Sequence, residues 1–199
     1  AYYGDGFFAN NIFWPKEHYI QLIRFYRQRF EHYGHGTKKQ AIVGLGGQAY
    51  IARRSQDAKN EFRPYFNEAP VYGHGPTMED FMDGTPLSVG SPQEVIDKTL
   101  TFREHFGDYQ RQLFLVDHAG LPLKTVLNQL DLLGEEVVPV LRTEIAARQD
   151  PETPAAPTHA SLVRAKYGDE APRQPRPNAN RGDNVTGGSP YRDTQETAA

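Results

Sequence analysis

The residues best suited to chemistry in this sequence come at the ends of apolar segments. Asp117 and His118 end the segment RQLFLVDH, and a histidine imidazole exchanges a proton near neutral pH, which suits it to proton transfer. Asn10 and Asn11 follow the segment DGFFA, and Gln48 lies in the segment QAIVGLGGQAYIA. Carboxamides donate hydrogen bonds to ligands, but they also cap turns and helices. These positions are candidate site residues, with His118 as the candidate for proton transfer, although a polar residue at a strand end can also simply cap the next turn.

The composition argues against several kinds of site and binding partner. The chain has no cysteine, which rules out disulfides, thiolate metal sites and a thiol nucleophile. Its net charge is -3, and no apolar run approaches the ~18 residues of a membrane span, so we expect no nucleic acid, no membrane and a cytoplasmic location. His32 and His35 have no carboxylate-histidine cluster near them, so we expect no metal.

The order of apolar segments predicts an α/β fold with parallel strands. Strand-like segments at residues 5–12, 40–52 and 111–117 alternate with helical patterns. The strongest local signal is the capping box from Ser91 to Glu94, which starts one helix. Two further helices have apolar faces formed by Tyr19, Leu22, Ile23, Tyr26, Phe30 and Tyr33, and by Val126, Leu130, Leu133, Val137 and Leu141.

Breaks in the pattern divide the chain. Pro139 lies inside the last helical segment, which predicts a kink or a break near Gly134. Residues 70–89 form a long Gly- and Pro-rich connection, and loops of that length are usually functional or mobile. From residue 150 onward the sequence is too polar and proline-rich to form a core. We therefore predict an ordered domain at 1–149 and a disordered tail at 150–199.

Three stretches of the chain together resemble the bacterial luciferase-like flavin-dependent monooxygenases. The most specific is VGSPQEVIDKTLTFREHFGDYQRQLFLVDHAGLPLKTVLNQLDLLGEEVVPVLR, at residues 89–142. It is similar to the closing region of that family, which has a Gly-Ser-Pro-x-Glu helix start, a last apolar strand and a helix ending Glu-x-Val-x-Pro-x-Leu. The stretches at 4–34 and 41–58 resemble the two preceding strand–helix units. The resemblance covers nearly all of residues 4–145.

This resemblance implies a (β/α)8 TIM-type barrel. Such a barrel needs ~250 residues, so about 145 ordered residues correspond to a partial barrel, roughly its last three strand–helix units. The chain begins with Ala1, and its two methionines are Met78 and Met82. We therefore expect the chain to be incomplete at its N-terminus.

The resemblance also implies a function. Members oxidise an aldehyde or another small organic substrate with reduced FMN and dioxygen, and a flavin reductase is an expected partner. The cofactor would contact Phe8, Asn10, Asn11 and Gln48, and His118 would transfer protons. Tyr72, His74 and Asp117 would lie at the substrate, the first two in a lid.

Two alternatives remain open. One is a deazaflavin-dependent oxidoreductase on the same barrel. The other is a non-catalytic half-barrel that associates with a partner or with itself, because a fragment leaves strand edges unpaired. In either case we expect a homo-oligomer and no turnover by the isolated chain.

Overall fold

The computed structural model describes residues 1–10, 14–69, 72, 75–117 and 120–168, with α-helices and short parallel strands. The chain divides into two compact units, residues 1–156 and 157–199. No helix in the described ranges is long and apolar enough to cross a membrane. The elements of the first unit are β1 (Phe7–Ala9), α1 (Lys16–His32), a 3-10 turn (Lys38–Gln40), β2 (Val43–Leu45), β3 (Ala49–Ile51), α2 (Ser55–Glu68), α3 (Met78–Gly84), β4 (Ser88–Gly90), α4 (Pro92–Phe106), β5 (Arg111–Gln112), α5 (Leu123–Leu132), a π turn (Leu133–Val137) and α6 (Val138–Arg148).

The three predicted strands are neighbours in one parallel sheet. Its order is β1-β2-β5, with Phe8 opposite Gly44 and Gly44 opposite Arg111. An isolated parallel bridge between Gln48 and Leu115 extends the pairing beyond β5. The prediction of an α/β fold with parallel strands is therefore confirmed.

The segment predicted as one strand at 40–52 is two strands. β2 ends at Leu45, Gly46 and Gly47 follow, and β3 then pairs with β4 in a separate parallel sheet. The prediction of a structureless connection at 70–89 is wrong for its second half, because α3 and β4 lie there. Buried side chains on both, including Phe81 and Leu87, stabilise them through tertiary packing.

Helix α4 confirms the capping prediction. The Ser91 hydroxyl accepts from the Glu94 amide, the Glu94 carboxylate accepts from the Ser91 amide, and the helix ends at Gly107, whose φ is +72°. Its predicted inner face is buried, and Phe102 and Phe106 pack in the same cluster as the α1 aromatic residues. On α1, however, Leu22 and Tyr33 are exposed.

The final helix of the first unit contains the expected irregularity. A π turn at Leu133–Val137 separates α5 from α6, and Gly134 lies within it. One predicted inner residue, Leu130, is exposed, and Gln129 is buried instead.

The second unit contains α7 (His159–Tyr167), which starts at a capping box formed by Thr158 and Ser161. This capped helix of nine residues lies inside the segment predicted to be disordered, and the disordered tail stays a prediction. Residues 169–199 lie outside the described part of the chain.

Candidate functional site

Phe7 and Phe8 of β1 lie on opposite faces of the β1-β2-β5 sheet, and among the described residues α1 packs against the Phe7 face. Side chains alternate along a strand, so Phe7 and Phe8 point to opposite faces. Phe7 packs against Tyr26 of α1, with ring centroids 5.3 Å apart. The Phe8 ring lies over Gly44, where an added Cβ would be 3.0 Å from Phe8 Cδ2 and 3.7 Å from Arg111 Cβ. Phe8, Gly44 and Arg111 therefore share the second face, which we call the open face.

The open face carries two accessible apolar side chains beside the exposed Arg111. Phe8 is 49% exposed, and Leu113, two residues beyond Arg111 on the same face, is 54% exposed. By contrast, Val43 and Leu45 on the other face of β2 are completely buried. Exposed apolar side chains grouped on one side of a sheet mark a surface that a ligand or another polypeptide covers.

A buried polar contact lies at Gln48, between β2 and β3. The Tyr72 hydroxyl donates to the Gln48 Oε1 atom, and Gln48 is only 3% exposed. The Tyr72 ring stacks on Phe66 of α2 at 4.4 Å and meets Phe81 of α3 edge-on at 5.2 Å. This contact ties α2 and α3 to the strand segment between β2 and β3.

Burial fixes the protonation state of Tyr72. It raises the pKa of the hydroxyl to about 12, although the hydrogen bond to Gln48 acts in the opposite direction. The hydroxyl therefore stays protonated at neutral pH and donates to Gln48. The predicted lid position differs from this arrangement, because Tyr72 is a core residue packed between helices.

Asn10 and Asp117 lie at the carboxyl edge of the sheet. Asn10 follows β1 directly, Asp117 follows the segment paired with β2, and both are exposed. Because the strands are parallel and Ala9, Leu45 and Gln112 are level with one another, Asn10 is level with residue 113, and Asp117 lies four residues further along the same direction. Phe8 and Asn10 are therefore near neighbours on β1 and its end, whereas Asp117 follows a different strand at a higher level. Asn11, His74 and His118 lie outside the described residues, so their roles stay predictions.

A groove opens where β3 ends, next to α5. Its volume is about 600 Å³, and its charged lining residues carry both signs: Arg53, Glu61, Lys124, Asp131 and Glu135. Arg53 is exposed and lies 3.4 Å from Glu136 in an ion pair. Within the described ranges, no three His, Asp or Glu side chains converge to hold a metal ion.

Gln129 is the buried polar residue that the sequence pattern misses. It is 1% exposed, its Oε1 accepts from the Ile51 amide at 3.1 Å, and its Nε2 donates to the Val116 carbonyl at 3.2 Å. Hydrophobic periodicity favours Leu130 for the inner position. A single glutamine in an amphipathic helix gives no signal that it is buried.

Similarity to one solved structure supports the fold. Monooxygenase RslO1 from Streptomyces bottropensis superposes with a TM-score of 0.51 at 17% identity, covering 70% of this chain and 43% of that protein. Long-chain alkane monooxygenase LadA gives 0.46 at 17% identity over 74% of this chain and 38% of its own. Riboflavin lyase RcaE, solved with modified FMN and riboflavin, gives 0.48 at 15% identity over 84% and 44%. The chain spans less than half the length of each of these proteins.

Sequence comparison identifies the family. No curated protein matches the chain significantly in sequence. The family model described as luciferase-like monooxygenase matches residues 1–109. This match extends over more than half of the 199 residues, and the chain therefore belongs to the luciferase-like monooxygenase family.

Proposed function

We propose that this chain forms part of the cofactor side of an oxidoreductase that uses reduced FMN and dioxygen on an aldehyde or another small organic substrate. One observation carries the proposal: the open face carries accessible apolar side chains at a parallel sheet, in a member of a monooxygenase family. In parallel α/β folds, ligands bind at the carboxyl ends of the strands.

The open face fits a planar aromatic group. Gly44 has no side chain, and a Cβ there would approach Phe8 Cδ2 to 3.0 Å, so the glycine lets the Phe8 ring lie directly against β2. Phe8 and Leu113 offer apolar contact, and the exposed Asn10 offers an amide donor at the carboxyl edge. Isoalloxazine has both an apolar ring system and carbonyl acceptors. When bound, reduced FMN supplies the electrons for the oxidation.

The remaining residues act around this surface. Gln48 is buried and already accepts from Tyr72, so we assign it to holding Tyr72 and α2 in place rather than to direct contact with the cofactor. Asp117 is exposed at the carboxyl edge, where it would face the substrate. His118 follows it in sequence, and we retain it as the proton-transferring residue. Apolar side chains around the site exclude water from the reaction.

Anaerobic titration of the full 199-residue chain with reduced FMN tests the proposal. We expect saturable binding, and at least about tenfold weaker binding for Gly44→Val, because the added side chain displaces the Phe8 ring from β2. Gly84→Ala is the matched control, since a Cβ there meets no atom within 4 Å. No binding of reduced FMN by a folded wild-type chain would contradict the proposal. A parallel titration with a reduced deazaflavin decides between the two cofactors.

The open face also supports a second candidate function, association of a half-barrel with a partner or a second copy. Among the described residues β1 pairs with β2 alone, so its other edge and the exposed Phe8 are open to another polypeptide. On this reading the isolated chain oligomerises and has no turnover, which light scattering and an oxidation assay would detect. A monomer with monooxygenase activity would rule it out.

A further inference from the structure

Within the described residues, the backbone pairing between the segment after β5 and the chain entering β3 extends as far as Leu115, and we call this point the fork. The Leu113 amide donates to the carbonyl of Leu45 at the end of β2, the Leu115 amide donates to the Gly47 carbonyl, and the Ala49 amide donates back to the Leu115 carbonyl at 3.0 Å. In a regular parallel ladder the Asp117 amide would next donate to the Ala49 carbonyl, and the Ile51 amide would then donate to the Asp117 carbonyl. The Ile51 amide instead donates to the side chain of Gln129.

Gln129 joins the two strands at this point. Its Oε1 accepts from Ile51 at 3.1 Å, and its Nε2 donates to the Val116 carbonyl at 3.2 Å. The side chain is 1% exposed, so both its polar atoms need protein partners, and both have them. A single carboxamide thus bridges the Ile51 amide and the Val116 carbonyl through two hydrogen bonds.

We infer that Gln129 is a positioning residue, which sets where Asp117 stands at the end of its strand. The inference rests on the proposed function, in which Asp117 faces the substrate. Val116 precedes Asp117 directly, so the hydrogen bond from Gln129 fixes the backbone at the residue before it. The groove beyond β3 opens at the same fork and includes the neighbouring Asn128.

Three variants of the full chain test this role. Gln129→Met keeps the length of the side chain and removes both hydrogen bonds. Val126→Ala removes a buried side chain one turn earlier on α5 and touches neither hydrogen bond, so it is the control for lost stability. Gln129→Glu restores both hydrogen bonds only when the introduced carboxyl is neutral, because a carboxylate has no proton to donate to Val116.

The first measurement is the NMR spectrum of the labelled chain. We expect Gln129→Met to shift the amide resonances of Ile51 and Asp117 more than Val126→Ala does. The Gln129→Glu resonances should match the wild type at about pH 5 and depart from it at about pH 8, as the carboxyl ionises. Equal shifts in Gln129→Met and Val126→Ala, or no difference between the two pH values, would overturn the inference.

The second measurement is reduced FMN affinity at a temperature where all variants are folded. We expect about tenfold weaker binding for Gln129→Met and none of that loss for Val126→Ala, because a displaced strand end misplaces the site. Equal affinity of Gln129→Met and the wild type would overturn the inference. A wild-type chain that binds no FMN would contradict the proposed function, and the NMR comparison would still decide whether Gln129 positions the strand ends.

Discussion

The contact between Tyr72 and Gln48 gives the most direct test of the reasoning. Tyr72→Phe removes the hydroxyl and leaves the aromatic stack with Phe66 in place. The Gln48 Oε1 atom then stays buried without the Tyr72 donor, which costs about 1–3 kcal/mol of unfolding free energy. For a chain of this size each kcal/mol lowers Tm by about 2–4 °C.

A double-mutant cycle isolates the interaction. Gln48→Met leaves the Tyr72 hydroxyl without this acceptor in the same apolar surroundings, and the combined variant removes both polar groups. We expect the unfolding free energies lost in the two single variants to add up to more than the loss in the double variant, and the difference, the coupling energy, should be about 1–2 kcal/mol. Urea unfolding followed by circular dichroism measures all four proteins, and the slope of unfolding free energy against urea should not change.

Tyr50→Phe is the control for loss of a hydroxyl. The Tyr50 hydroxyl donates to Glu61 at 2.9 Å, and Glu61 is exposed, so water can replace the lost donor. Tyr50→Phe should therefore lower the unfolding free energy by less than about 1 kcal/mol. If Tyr72→Phe costs no more than Tyr50→Phe, or if the cycle is additive, the contact does not hold α2 and α3 on the strand.

Three further predictions concern stability. Ser91→Ala should lower the unfolding free energy by about 1 kcal/mol, because the Glu94 amide loses its acceptor; an unchanged urea midpoint would contradict the capping role. Phe62→Ala should cost about 3–5 kcal/mol, since Phe62 is fully buried in the α2 cluster, and a loss below 1 kcal/mol would mean that the cluster repacks. Burial raises the pKa of Tyr72 and Tyr109 to about 12 from an ordinary 10, so their contribution to stability is complete below pH 10 and is lost as pH rises toward 12. Absorbance titration should show these hydroxyls ionising after the exposed tyrosines; ionisation near pH 10 in the folded chain would refute their burial.

The sequence predicted the elements whose signals are local. The capping box at Ser91 needs residues only three positions apart, and the α4 face follows from helical spacing. The three principal strands were predicted because runs of apolar residues between helices are typical of a parallel sheet. A break in the last helix was predicted near Gly134, because Pro139 has no backbone amide to donate to the helical hydrogen bonds.

The elements missed by the pattern depend on distant partners. β4 has three residues, and it forms a strand because its backbone pairs with that of β3. Leu130 was expected inside because it is apolar, yet Gln129 takes the inner position, since two strands there need a donor and an acceptor.

For the candidate site, the sequence by itself determined which residue types are present and that Asn10 and Asp117 end strand-like segments. Only the tertiary structure decided that Phe8 lies over Gly44, that Tyr72 is buried against Gln48, and that Gln129 bridges the fork. The physical reason is that helix caps and periodicity are fixed by neighbours along the chain, whereas the environment of a buried polar group is fixed by backbone atoms many residues away. Those atoms become neighbours only when the sheets and helices pack.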